Sequence, residues 1–113
     1  MITVYGIKAC DTVRKALKWL EAEGIEHTFR DFRVDGLESA TLQRWVDVLG
    51  WESVLNKRST TWKNLPDADK SDLNAARAIN LMVAHPTLIK RPVFEIGSLI
   101  LQGFTDDVRH QIS

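Results

Sequence analysis

The sequence predicts an α/β fold, a four-stranded mixed sheet in the order β-α-β, helical insert, β-β-α, forming a single domain over residues 1–113. Three observations carry that prediction. A β-branched run, Ile2-Thr3-Val4-Tyr5, passes through Gly6 into a stretch of helical period, and a second strand-like run follows it. Residues from about 36 to 86 then show helical spacing only. Strand character resumes at Arg91 and reverses at Gly97-Ser98, a tight-turn pair between two apolar runs.

Taken in order, Val13, Ala16, Leu17 and Leu20 form one apolar helix face, with Asp11 or Thr12 as its cap and Gly24 at its end. Ile25 to Phe32 alternates and reads as a second strand. Strand, helix and strand joined by short connections make a βαβ unit, so the first two strands are expected to be parallel with a right-handed crossover. Arg33-Val34-Asp35-Gly36 is a turn. In the insert, Leu42, Trp45, Val46 and Leu49 repeat at helical spacing and Gly50 closes that helix. Trp51 to Leu65 reads as short helical turns and loop, and Pro66 to Lys70 as a surface connection. Ser71 or Asp69 is expected to cap a further helix with Ala75, Ile79, Met82 and Val83 as its buried stripe, stopped by His85-Pro86. Arg91 to Gln102 is a hairpin. Thr105 caps a closing helix, with Asp106 and Asp107 in its first turn, where acids suit the helix dipole.

Composition narrows the function. Fifteen Lys and Arg balance fifteen Asp and Glu, which argues against direct nucleic-acid binding or an anionic membrane surface as partner. No apolar run reaches membrane-spanning length, and the start of the chain lacks a signal-peptide pattern. The one cysteine permits no disulfide framework within the chain and fits a reducing, cytoplasmic setting. His27, His85 and His110 are scattered, so no metal site is expected.

Cys10 is the candidate catalytic residue. A lone cysteine is most often a small buried hydrophobe. The neighbours here, Lys8, Ala9, Asp11 and Thr12, suit an exposed turn better than a core. A sulfur where a strand turns into a helix meets unpaired backbone N–H groups and the positive end of the helix dipole. Both favour the reactive thiolate. Lys8 and Arg14 add positive charge nearby in sequence, and the basic pairs Lys57-Arg58 and Lys90-Arg91 are further anion-site candidates. Arg91-Pro92 opens the third strand, where the peptide bond can be cis or trans. A cis bond there would present backbone to an extended peptide. A Cys-x-x-Cys pair is absent, since Val13 stands where the second cysteine would be. Any covalent intermediate at Cys10 therefore needs an external thiol to resolve it. A phosphatase loop is ruled out by Ala16 in place of its arginine, and no histidine is placed as a base for a cysteine hydrolase.

Three segments, Tyr5 to Ala16 (YGIKACDTVRKA), Leu55 to Trp62 (LNKRSTTW) and His85 to Val93 (HPTLIKRPV), together resemble the arsenate reductase-like (ArsC/Spx) family, most closely its YffB branch. The resemblance covers nearly the whole chain. It implies a thioredoxin-like fold with a helical insert and a cis bond at Pro92. It also implies Cys10 as nucleophile, Arg91 as oxyanion ligand, and glutathione with glutaredoxin to complete the cycle. The sequence departs from the arsenate reductases at two places. Their insert arginine aligns with Asn56, with Arg58 two positions on, and their third arginine has no counterpart, because no basic residue lies between Arg91 and Arg109. A tetrahedral dianion favours several charge-assisted donors, which weakens the case for arsenate. The Spx regulators of the family bind RNA polymerase and commonly carry a Cys-x-x-Cys switch, which Val13 removes here.

The expectation is a glutathione-dependent thiol reductase with no bound cofactor and glutathione as co-substrate. Cys10 and Arg91 are its catalytic residues, and Lys8, Arg14, Asn56, Arg58 and Pro92 bind substrate or glutathione. Arsenate reduction and an Spx-like polymerase-binding module are the rivals.

Overall fold

The computed structural model describes residues 2–113, and chain contacts divide it into two compact units. One holds the residues up to Gly36 together with Arg91–Ser113, the other Leu37–Lys90.

The first unit is the sheet. Its strands are β1 (Ile2–Gly6), β2 (His27–Asp31), β3 (Val93–Ile96) and β4 (Leu99–Gln102), in the order β2-β1-β3-β4. β1 runs parallel to β2, pairing Val4 with Phe29, and antiparallel to β3, pairing Val4 with Phe94. The parallel pair requires a crossover, which α1 (Asp11–Ala22) supplies. The antiparallel pair β3–β4 closes on Gly97, whose φ of 60° suits a residue without a Cβ. Alternation along β1 turns Ile2 and Val4 inward. They form one apolar cluster with Phe94 and Leu101, with Ala16 and Leu20 of α1, and with Val108 of α7 (Asp106–Ile112). Each fully buried residue of that size contributes about 1.5–3 kcal/mol. The Thr105 hydroxyl accepts from the Val108 N–H at 3.2 Å, the cap expected from the sequence. This arrangement is a thioredoxin-like α/β fold. Gly6 is required by close approach, because a Cβ there would lie 2.6 Å from Val13 Cγ2.

The second unit is helical: α2 (Ser39–Leu49), α3 (Trp51–Val54), α4 (Thr60–Asn64), α5 (Asp67–Lys70), α6 (Ala75–Ala84) and a 3-10 turn, Pro86–Leu88. Leu42, Trp45 and Val46 are buried on α2, which packs against α6. The unit extends to Lys90, past the expected boundary near Pro86. The last residue of the 3-10 turn and the segment after it pair back on the insert, Asn56 N–H to Leu88 C=O at 2.7 Å and Lys90 N–H to Val54 C=O at 2.9 Å. Four local expectations need correction. Cys10 itself occupies the N-cap of α1, and neither Asp11 nor Thr12 does, since both already lie in the helix. α6 is capped by Asn74, whose Oδ1 accepts from the Arg77 N–H at 2.9 Å, while Asp69 lies in α5 and Ser71 ends that turn. The buried stripe of α6 is Ala78, Ile79 and Met82, and Val83 is exposed. Pro66 to Lys70, expected as a connection, includes the one-turn helix α5. Among the described residues, no helix is long and apolar enough to cross a membrane.

Candidate functional site

The chain leaves β1 at Gly6 and reaches α1 through a short turn closed by the Cys10 N–H on the Ile7 carbonyl at 2.9 Å. Cys10 keeps extended backbone angles, φ −76° and ψ 126°, while its own carbonyl accepts the first helical bond, from the Arg14 N–H at 3.0 Å. That is the geometry of an N-cap, where a side-chain acceptor faces the unpaired N–H groups of the first turn. The half-buried thiol stands at that position, although its side chain makes no complete cap hydrogen bond. Burial disfavours its charged form. That effect is outweighed by the Val13 N–H, a hydrogen bond from the Arg91 side chain, the Thr12 N–H and the Arg91 charge, so the thiol ionises below its ordinary range.

Arg91 reaches the sulfur from the start of the third strand. Its peptide bond to Pro92 is cis, and the Pro92 ring is fully buried. The Pro92 carbonyl accepts from the Gly103 N–H at 2.8 Å. Cys10 and Arg91 are thus brought together from opposite ends of the sequence.

The other expected residues are placed differently. Lys8 has an exposed side chain, and its backbone N–H donates to Asp31 Oδ2 at 2.9 Å. The Arg14 guanidinium is exposed and paired with Asp11 at 2.5 Å. Neither cation is among the groups that hold the thiolate. Asn56 and Arg58 belong to the helical unit. There the Asn56 Oδ1 accepts from the Arg58 N–H at 3.0 Å, an Asx turn that leads into α4, and the Arg58 side chain is exposed. In the same unit two ammonium groups lie over the Trp62 ring, Lys57 Nζ at 5.7 Å and Lys70 Nζ at 5.5 Å from its centroid. Among the described residues, no group of three or more His, Cys, Asp or Glu could hold a metal ion.

Sequence reasoning missed Asp31. It ends β2 with a buried side chain, 8% exposed. Its two oxygens accept from different donors, Oδ2 from the Lys8 N–H and Oδ1 from the Arg33 N–H at 2.7 Å. Burial opposes its charge, but the N–H groups of Lys8, Arg33 and Val34 and the Arg33 charge hold its carboxyl below the usual carboxylate range. The visible sequence signal is the pair Asp31 and Asp35 bracketing a turn, in which Asp35 Oδ2 accepts from the Asp31 N–H at 2.9 Å.

The chain matches the model of the ArsC family over residues 5–112. A protein of Haemophilus influenzae, described only as uncharacterized, is 49% identical over 106 residues, covering 94% of this chain and 93% of that one. The global transcriptional regulator Spx of Streptococcus mutans is 26% identical over 109 residues, covering 95% of this chain and 79% of that protein. Of solved structures, the protein named YFFB (PA3664) superposes with a TM-score of 0.94 at 43% identity, covering 98% of this chain and 97% of the other. An arsenate reductase (ArsC) related protein from Brucella melitensis gives 0.79 at 42% identity, covering 97% and 92%. With a family match across nearly its whole length and a fold shared this closely, the chain belongs to the ArsC family, whose relatives include arsenate reductase-like proteins and the Spx regulators.

Proposed function

We propose that the protein is an oxidoreductase, a cytoplasmic, glutathione-dependent thiol reductase that works through one nucleophilic cysteine. The observation that carries this reading is the Cys10 sulfur at the N-cap of α1, facing the Val13 and Thr12 N–H groups and the Arg91 side chain, with no second cysteine in the chain. The Cys10 thiolate attacks one sulfur of a mixed disulfide between glutathione and a second thiol. The S–S bond breaks, the second thiol leaves as thiolate and takes a proton from water, and Cys10 is left joined to glutathione. A second glutathione thiolate then attacks that bond, releasing oxidised glutathione and restoring the Cys10 thiolate. The net reaction consumes one free glutathione, and the disulfide passes from the mixed species to oxidised glutathione while the second thiol is released reduced.

The same donors that favour the thiolate make Cys10 a good leaving group in the second step, since a lower-pKa thiol leaves faster. Arg91 stays beside the sulfur as charge moves on and off it. The main chain of Arg91 next to Pro92 gives the tripeptide a strand-like partner, and Lys8 and Arg14 place exposed cations on the same turn and helix for its carboxylates. Glutaredoxin could replace glutathione as the resolving thiol.

The test is incubation with oxidised glutathione followed by intact-mass measurement. The expected result is a single glutathione adduct, removed by dithiothreitol and missing in Cys10→Ser. A wild-type protein that forms no adduct contradicts the reading.

A second reading follows from the Spx relatives, which match most of this chain. In it the domain binds RNA polymerase and Cys10 does not turn over. Capture of polymerase subunits equally by wild type and Cys10→Ser, with no turnover, favours it. Arsenate-dependent turnover coupled to glutaredoxin would instead favour arsenate reduction, for which Arg91 is the one arginine on the sulfur.

A further inference from the structure

We propose that Asp31 is a positioning residue for Cys10, its carboxylate tying the turn that carries the thiol to the end of β2 and so fixing the sulfur against its donors. The proposal rests on the reading of Cys10 as a nucleophile and adds a residue that never touches substrate.

The tether is built from both strands of the parallel pair. β1 and β2 end in register, Gly6 opposite Asp31, and the Phe32 N–H continues the ladder onto the Gly6 carbonyl at 2.9 Å. Beyond Gly6 the ladder stops, and the next residues must turn into α1. Asp31 Oδ2 takes the Lys8 N–H at that point, one residue into the turn that the Cys10 N–H closes on Ile7. Oδ1 takes the Arg33 N–H, so the carboxylate is braced from the other side. The Asp31 backbone is braced as well, its N–H on Asp35 Oδ2 and its carbonyl accepting from the Asp35 N–H at 2.8 Å.

The choice of residue follows from this geometry. A buried carboxylate is costly unless its oxygens are satisfied, and here each oxygen has its own backbone donor. Asparagine can keep one of the two acceptors, but its amide nitrogen would then face the other N–H. Lys8 lies two residues before the cysteine, so slack in the turn would be felt directly in the distances from the sulfur to the Val13 and Thr12 N–H groups.

Loss of position and loss of charge move the thiol in opposite directions. Removing a nearby negative charge makes a thiol ionise more easily. Loosening the sulfur from its donors makes it ionise less easily. The other ionisable groups around the tether are Lys8 on the β1–α1 turn, Arg33 and Asp35 after β2, and Arg91 at the sulfur.

The experiment is the pH profile of Cys10 alkylation by iodoacetamide in wild type, Asp31→Asn and Asp31→Glu, with folding checked by circular dichroism. The midpoint is read rather than one rate, because a higher-pKa thiolate is intrinsically more nucleophilic and hides part of the effect. The wild-type midpoint is expected below that of the unfolded chain. In Asp31→Asn it rises by about half to one pH unit, a threefold to tenfold loss of thiolate fraction below the midpoint. Asp31→Glu, with both acceptors on a longer arm, recovers part of the shift. A midpoint that is unchanged or lower in a folded Asp31→Asn overturns the positioning role while leaving the nucleophile intact. A wild-type midpoint equal to the unfolded chain's overturns both. Should Asp31→Asn not fold, the wild-type protein still decides the matter by NMR. The Lys8 and Arg33 amide protons should shift with one common midpoint below the ordinary aspartate range, and a Lys8 amide that does not follow Asp31 overturns the tether.

Discussion

The two units use their polar side chains in different ways. In the sheet unit, local contacts such as Arg14 with Asp11 and Thr105 with Val108 are joined by others that span the chain: Arg91 reaches Cys10, Asp31 holds Lys8, and the Tyr5 hydroxyl donates to Glu95 Oε1 at 2.8 Å. In the helical unit most of them are local. Asn56 bonds two residues on, and Ser59 and Asn74 bond three residues on, each satisfying a turn or a helix start. Thr61 and Thr87 meet over a longer range, hydroxyl to hydroxyl at 2.6 Å. Local caps make short helices possible, whereas long-range pairs aim groups at one point. The groups that hold the Cys10 sulfur all come from the sheet unit.

That contrast can be broken experimentally. The largest effect expected is from Arg91→Ala, which removes a charged hydrogen bond from the thiolate, an interaction of about 1.5–3 kcal/mol. The half-buried site places the loss toward the lower end. Steady-state reduction of a glutathione mixed disulfide should fall about tenfold in kcat/KM or more, with Arg91→Lys intermediate because a lysine keeps the charge but not the planar fork. Unchanged kinetics in Arg91→Ala would remove the arginine from the mechanism.

A smaller effect is expected from Asn74→Ala in the insert. Losing the α6 cap should cost about 1 kcal/mol of stability in denaturant unfolding and leave the Cys10 pH profile where it was. A shifted profile would mean that the insert's local bonds do feed the sulfur. The smallest effect is expected from Arg14→Ala. Its pair with Asp11 is exposed, so the stability change should stay under about 0.5 kcal/mol. The Cys10 midpoint should hardly move. A clear upward move would restore Arg14 to the role that its sequence position suggested.

The legibility of the sequence follows the range of each contact and not the unit it lies in. Strand alternation, the helical period of Val13 to Leu20, the Gly97-Ser98 hairpin and the Thr105 cap are local signals, and each reappears in the structure. The position of Cys10 at a helix start was legible for the same reason. Where several cap residues crowd together the choice failed: Asn74 prevailed over Asp69 and Ser71 because those two residues are used by α5. Val83 was misread because the stripe of α6 is set by Ala78, Ile79 and Met82, and Val83 falls beside it. Lys8 and Arg14 show that nearness in sequence does not aim a side chain, since one contributes its backbone and the other pairs with Asp11. The tie from Asp31 to Lys8 was hidden because the two become neighbours only once β1 and β2 align, twenty-three residues apart, while its local turn with Asp35 was visible.

The central claim is that the folded protein holds Cys10 as a thiolate more readily than the unfolded chain does. Between the two ionisation midpoints the unfolded chain then binds more protons, so stability must rise with pH across that window and be lost as pH falls through the folded midpoint. The direct measurement is the ultraviolet thiolate absorbance of wild type against pH, native and in denaturant, with Cys10→Ser as the blank. The account predicts a native midpoint below the denatured one, matched by a stability advantage of wild type over Cys10→Ser that grows with pH in the same window. A native midpoint equal to or above the denatured one would contradict it.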